Sequence, residues 1–192
     1  MTKDFEIKEL KSIADFVRIH NMYDSLSDRT KYFFNYPVFS WRPIGINSFY
    51  WILGNIALFI SLSPFKKFIW LLFPKAYYLI VGAFASSELI GVCFLFKFSR
   101  YGEENIAKSF GIVVKDEYQG KGVGSKLLEY LFYVASSNFN VVEVHLEVLE
   151  DNERAIKFYR RHNFTPVSYV MRAGERYLKM KKNLCRYSRG IE

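Results

Sequence analysis

Cysteine is scarce in this chain. Only Cys93 and Cys185 occur, far apart and in no CxxC spacing. That excludes a disulfide framework and a thiolate zinc site, and it fits a reducing compartment. Glycine and proline are not in excess, and there is no low-complexity tract or internal repeat. Collagen-like, linker-like and solenoid architectures are therefore excluded. The opening residues, Met1-Thr2-Lys3-Asp4-Phe5-Glu6, lack the apolar stretch of a signal peptide, so an intracellular, cytoplasmic location is expected.

The 192 residues are 51% hydrophobic and 24% charged, enough to bury a core without disulfides or metal. The chain therefore reads as one domain over 1–192. Its net charge of +8 favours an anionic partner: a nucleotide cofactor, nucleic acid or an acidic membrane surface. No reading helix or RNA-binding motif is present, so no specific nucleic-acid partner is expected.

Residues Phe5 to Tyr23 read as a short strand and then a helix, with Leu10, Ile13, Phe16 and Val17 at helical spacing. Ser27 or Asp28 could cap a second helix. Tyr77–Phe84 and Glu88–Phe98 read as a hairpin, and a further strand runs from about Ala107 to Lys115. A glycine-rich turn follows, then a helix from Gly122 to about Ser137, striped by Val123, Leu127, Leu128, Leu131, Val134 and Ala135. Val141–Leu149 alternates as a strand with Glu143, His145 and Glu147 on its polar side. Asn152–His162 reads as a helix that Asn163 stops, and a last hairpin turns at Ala173-Gly174. This mixture gives an α+β (mixed α/β) domain.

Pro43 to Phe65 carries no charged residue, and after Lys66-Lys67 the run Phe68–Phe73 is again apolar. Three readings of this hydrophobic insertion at about 43–73 stand open. It forms core or homodimer-interface helices, it dips into a membrane surface helped by Arg42, Lys66, Lys67 and Lys75, or it walls an acceptor pocket. Gly54, Asn55, Ser61, Ser63 and Pro64 dilute it relative to the roughly 20 apolar residues of a spanning helix.

The chemistry concentrates in Tyr118-Gln119-Gly120-Lys121-Gly122-Val123-Gly124-Ser125-Lys126, which joins a strand to a helix. Glycines let main-chain amides approach a ligand, and a helix N-terminus favours phosphate oxygens. A P-loop is excluded because Gly120-Lys121 is followed by Gly122 and position 115 is lysine. The dinucleotide fingerprint GxGxxG fails at Ser125 or at Leu127, depending on which glycine is taken as the first. A glycine turn without a ligand is the remaining alternative.

Gln119-Gly120-Lys121-Gly122-Val123-Gly124 fits Gln/Arg-x-x-Gly-x-Gly/Ala and resembles the acyl-CoA-binding motif of the GNAT superfamily of N-acetyltransferases. Downstream, Leu146–Tyr159 resembles that family's fifth strand and following helix, and Phe164 fits its closing aromatic. Asn163 stands where the family usually has glycine, and asparagine tolerates the same left-handed backbone. The resemblance runs from about Tyr77 to Leu184, and the motifs are most similar to the ribosomal-protein and N-terminal acetyltransferase branches. It implies a central mixed sheet flanked by helices, acetyl-CoA as co-substrate, no metal, and an amine-bearing acceptor, protein or small molecule.

The resemblance also assigns roles. Main-chain groups of Ile112, Val113 and Val114 would hold the pantetheine arm. The turn Gln119–Ser125 (Gln119, Gly120, Lys121, Gly122, Val123, Gly124, Ser125) would hold the pyrophosphate. Asn152 would contact the cofactor arm, and Tyr159 would protonate the leaving thiolate. Glu147 is the candidate base, weighed against a strand carboxylate that pairs with a lysine. His145 lies on the same face and reads as structural, and Cys93, in an apolar strand, reads as a small hydrophobe rather than a nucleophile. The alternative function is an acyl-CoA-binding or membrane/partner-docking module without turnover.

Overall fold

The structure is a computed structural model and describes residues 4–34, 78–101 and 104–184. The insertion at 43–73, Arg42, Lys75 and Cys185 lie outside the described residues. In chain order the elements are β1 (Glu6–Glu9), α1 (Ile13–Asp24), α2 (Asp28–Phe33), β2 (Tyr78–Ala85), β3 (Glu88–Tyr101) and β4 (Glu104–Val114). After a 3-10 turn at Asp116–Tyr118 come α3 (Val123–Phe139), β5 (Val141–Leu149), α4 (Glu153–Arg161), β6 (Thr165–Arg172) and β7 (Glu175–Asn183).

Local chemistry sets the boundaries. Ser12 and Asp15 form a reciprocal capping box at α1: the Asp15 amide donates to the Ser12 hydroxyl at 3.1 Å, and the Ser12 amide donates to the Asp15 carboxylate at 3.0 Å. Ser27 caps α2. The β2–β3 hairpin turns on Ser86 and Ser87 at φ 48° and 73°, and the β6–β7 hairpin on Ala173 and Gly174 at φ 49° and 86°. Asn163 stops α4 at φ 63°, as its left-handed tolerance predicts.

The seven strands of the described residues form one sheet in the order β1-β2-β3-β4-β5-β7-β6. Among the described strands only β4 and β5 run parallel. One face carries α1, whose Ile19, Met22 and Tyr23 pack with Phe84, Val92 and Phe94. Of the expected stripe Leu10 is buried, whereas Val17 is 51% exposed, and the buried side continues through Ile19, Met22, Tyr23 and Leu26. The opposite face carries α3, whose predicted apolar stripe is wholly buried, with Tyr159 and Phe164 completing the cluster. Among the described residues no helix is long and apolar enough to cross a membrane.

Candidate active site

The parallel pair β4–β5 makes the site by failing to stay paired. Its register covers Asn105↔Val141, Ile106↔Glu143 and Ala107↔Val144, and then stops. Beyond that point a cleft of about 2180 Å³ opens, lined by Phe110–Val114 on one side and Glu147–Leu149 on the other. The β3–β4 ladder fixes which β4 groups face it. The Lys115 amide donates to the Ile90 carbonyl at 2.9 Å, and the register holds a constant offset from Val114 down to Glu104. Antiparallel pairing alternates, so Val113 and Gly111 turn their main-chain groups to β3, whereas Phe110, Ile112 and Val114 turn theirs to the cleft. The Val114 carbonyl accepts the Gln119 side-chain amide at 2.9 Å. Of the three β4 residues named from the sequence, Ile112 therefore offers both main-chain groups and Val114 its amide.

Gly120 and Gly122 take φ of 75° and 82°, and a Cβ at either would meet nothing within 4 Å. Backbone conformation, not crowding, requires glycine there. Gly122 is the N-cap of α3, no side chain caps it, and the first bond of the helix runs from the Lys126 amide to the Gly122 carbonyl. The amides of Val123, Gly124 and Ser125 are thus left without helical partners at the positive end of a 17-residue helix. Gly120, Gly122, Gly124 and Ser125 line the cleft. A Cβ on Gly124 would sit 3.5 Å from the Phe158 ring, an ordinary contact, in keeping with a motif that admits alanine. The Val123 side chain is buried beneath the turn. Lys121 is exposed, its ammonium 5.5 Å from the centre of the Tyr118 ring.

The turn is braced from both sides. Gln119 Oε1 accepts from Arg154 at 2.5 Å, so its side chain holds the protein together. Asp116 accepts from the Ser27 amide, the Ser27 hydroxyl and the Thr30 hydroxyl at 3.0, 2.9 and 2.6 Å, clasping α2 to the start of the turn. Slight burial pushes this carboxyl up, but those hydrogen bonds outweigh it and hold it below the usual aspartate range.

Asn152 lines the cleft and caps α4, its side-chain oxygen accepting from the Ala155 amide at 3.2 Å. One helical face later, Tyr159 is 8% exposed and packs edge-on to Phe110, Phe158 and Phe164, with ring centres 5.6–5.9 Å apart. Burial pushes its phenol well above the usual tyrosine range, so it keeps its proton. Cys93 is fully buried and its thiol is likewise pushed up, which removes it as a nucleophile.

Glu147 faces the cleft from β5. Arg172 Nε donates to one carboxylate oxygen at 2.5 Å and Nη2 to the other at 2.8 Å, while Lys179 Nζ stands 3.6 Å away. The Arg172 hydrogen bond is the main cause that holds this carboxyl below the usual glutamate range, against partial desolvation. His145 pairs instead with Glu143 at 2.5 Å and does not line the cleft, as its structural reading expected.

Sequence reasoning missed His162 and Arg172. His162 Nε2 lies 3.0 Å from the Ser125 hydroxyl, its ring lies against Phe158, and burial lowers its pKa. No motif marks it. Arg172 reaches Glu147 across β7, a pairing visible only once the register is known.

This combination is a splayed parallel pair with an uncapped helix N-terminus at its mouth. The family model for the acetyltransferase (GNAT) family matches residues 46–164. The chain belongs to that family. The match begins inside the hydrophobic insertion. A spermine/spermidine N(1)-acetyltransferase of Bacillus subtilis (strain 168) is 30% identical over 91 residues, 46% of this chain and 60% of that protein. The L-amino acid N-acetyltransferase AaaT of Escherichia coli (strain K12) is 33% identical over 70 residues, 34% of this chain and 43% of that one. The match to the curated relatives thus spans less than two thirds of their length. A crystal structure of ribosomal-protein-S5-alanine acetyltransferase from Vibrio fischeri superposes with a TM-score of 0.65 at 17% identity, covering 96% of this chain and 95% of that one. This last likeness shows the GNAT fold alone. Among the described residues, no group of three or more His, Cys, Asp or Glu could hold a metal.

Proposed function

We propose that the protein transfers an acetyl group from acetyl-CoA to a primary amine by direct attack with both substrates bound. The uncapped α3 N-terminus at the mouth of the cleft carries this reading, because its amides fit a pyrophosphate and the Ile112 groups fit an amide-bearing arm. Arg160 and Arg161, in the last turn of α4 and on the cleft wall, add positive charge. Acetyl-CoA supplies an acyl group on a thiolate leaving group. Glu147, ionised, receives the proton of the acceptor's ammonium directly or through water. The free amine attacks the thioester carbonyl, a C–N bond forms as the C–S bond breaks, Tyr159 donates its proton to the departing sulfur, and the second proton lost by the acylated nitrogen returns to the Tyr159 oxygen through water. The curated relatives act on polyamines and amino acids by name, which supports the small amine among the candidate acceptors of protein N-terminus, lysine or small amine.

The test is thiol release from acetyl-CoA across amino acids, polyamines and peptides. Amine-dependent release supports transfer. Tight acetyl-CoA binding without release on any amine favours the non-catalytic acyl-CoA-binding alternative.

A further inference from the structure

Arg172 has two edges. A guanidinium carries five N–H donors, and those that point to Glu147 are Nε and one hydrogen of Nη2. The end-on fork, made of Nη1 and the second Nη2 hydrogen, makes no hydrogen bond among the described residues. Arg172 is 58% exposed on the cleft wall beside Tyr177. This fork has the planar geometry that matches a carboxylate bidentately.

Resting on the acetyl-transfer reading, we propose that the acceptor is an amine that carries a carboxylate one or two carbons away, and that Arg172 binds that carboxylate on its end-on edge. Two oxygens accepting from one planar Nη2 at about 2.9 Å each lie roughly 5 Å apart. That gap fits one ammonium nitrogen. An α-amino acid docked on the free edge therefore brings its own ammonium between its carboxylate and Glu147 Oε1. One guanidinium thus places the nucleophile beside the group that receives its proton. Arg172 holds the Glu147 carboxylate ionised, helped by Lys179, whose Nζ stands 3.6 Å from the same Oε1. A phosphate brought to the same edge would face Glu147 with no cation to bridge them. A polyamine would find Glu147 but leave the fork unfilled.

The experiment compares kcat/KM for proteinogenic L-amino acids with that for their carboxamides and for spermine, using the full chain and acetyl-CoA. The parent protein is expected to favour the best acid over its amide by at least about tenfold, a difference of about 1.4 kcal/mol. In R172Q that ratio should collapse to near unity, mainly through KM for the acid. R172K, which keeps the charge but not the fork, should recover only part of it. Calorimetry with acetyl-CoA checks that each variant is folded and loaded, and if R172Q fails that check the parent ratio and R172K decide. A parent ratio at or below unity, faster turnover of spermine than of any acid, or a ratio preserved in R172Q overturns the proposal while acetyl transfer stands. No acetyl-CoA binding by the parent overturns both.

Discussion

Replacing Tyr159 with phenylalanine isolates one proton. The ring is held by Phe110, Phe158 and Phe164, and all of those contacts survive the change. Only a hydroxyl is lost, so stability should move by no more than about 1 kcal/mol, the net worth of one hydrogen bond. A positioned acid contributes about 10²–10⁴-fold to a rate. The phenol is pushed up by burial and stays protonated throughout the working range, so its contribution should be present at every pH below about 10. Tyr159→Phe should therefore cut kcat about a hundredfold or more across pH 6–9 and leave KM for acetyl-CoA within about twofold. Stopped-time thiol release and a urea unfolding curve on the same preparation read both quantities. A variant with parental turnover, or one whose lost activity tracks lost stability, refutes Tyr159 as the proton donor.

Glu147→Gln should slow transfer most at lower pH, where acceptor amines are protonated and need a base; pH–rate curves identical to the parent's would exclude that role. Gly111→Ala should destabilise by about 1–3 kcal/mol, because its Cβ would lie 2.3 Å from the fully buried Phe94 ring, and an unchanged urea midpoint would contradict the packing. Asp116 has a depressed pKa in the folded state, so its clasp stabilises above the ordinary aspartate range near 3.9 and is lost as pH falls below it. Asp116→Asn should accordingly flatten the acid side of the stability–pH curve, and an acid limb equal to the parent's would show that the clasp contributes nothing.

The helices and strands around the site were legible because each carries a strong local signal. The α3 stripe, the alternation of β5 and the stop at Asn163 all follow from nearest-neighbour rules. The Gly120–Gly124 turn was legible for the same reason, since its positive φ values demand glycine locally. The α1 face was misread at Val17 because helical spacing fixes a stripe but not which stripe meets the sheet. Arg172 and the Asp116 clasp were invisible: one pairing spans 25 residues and the other 86–89, and both depend on register and docking rather than on pattern. The cleft itself arises where the β4–β5 ladder ends, and no residue type marks that point.

Calorimetric titration of the full chain with acetyl-CoA tests the central claim most directly. The uncapped α3 amides and the outward-facing groups of Ile112 predict saturable one-to-one binding, weakened at least about tenfold by Gly122→Ala, whose φ of 82° alanine resists. No heat with the parent chain, or affinity untouched by that substitution, contradicts the account.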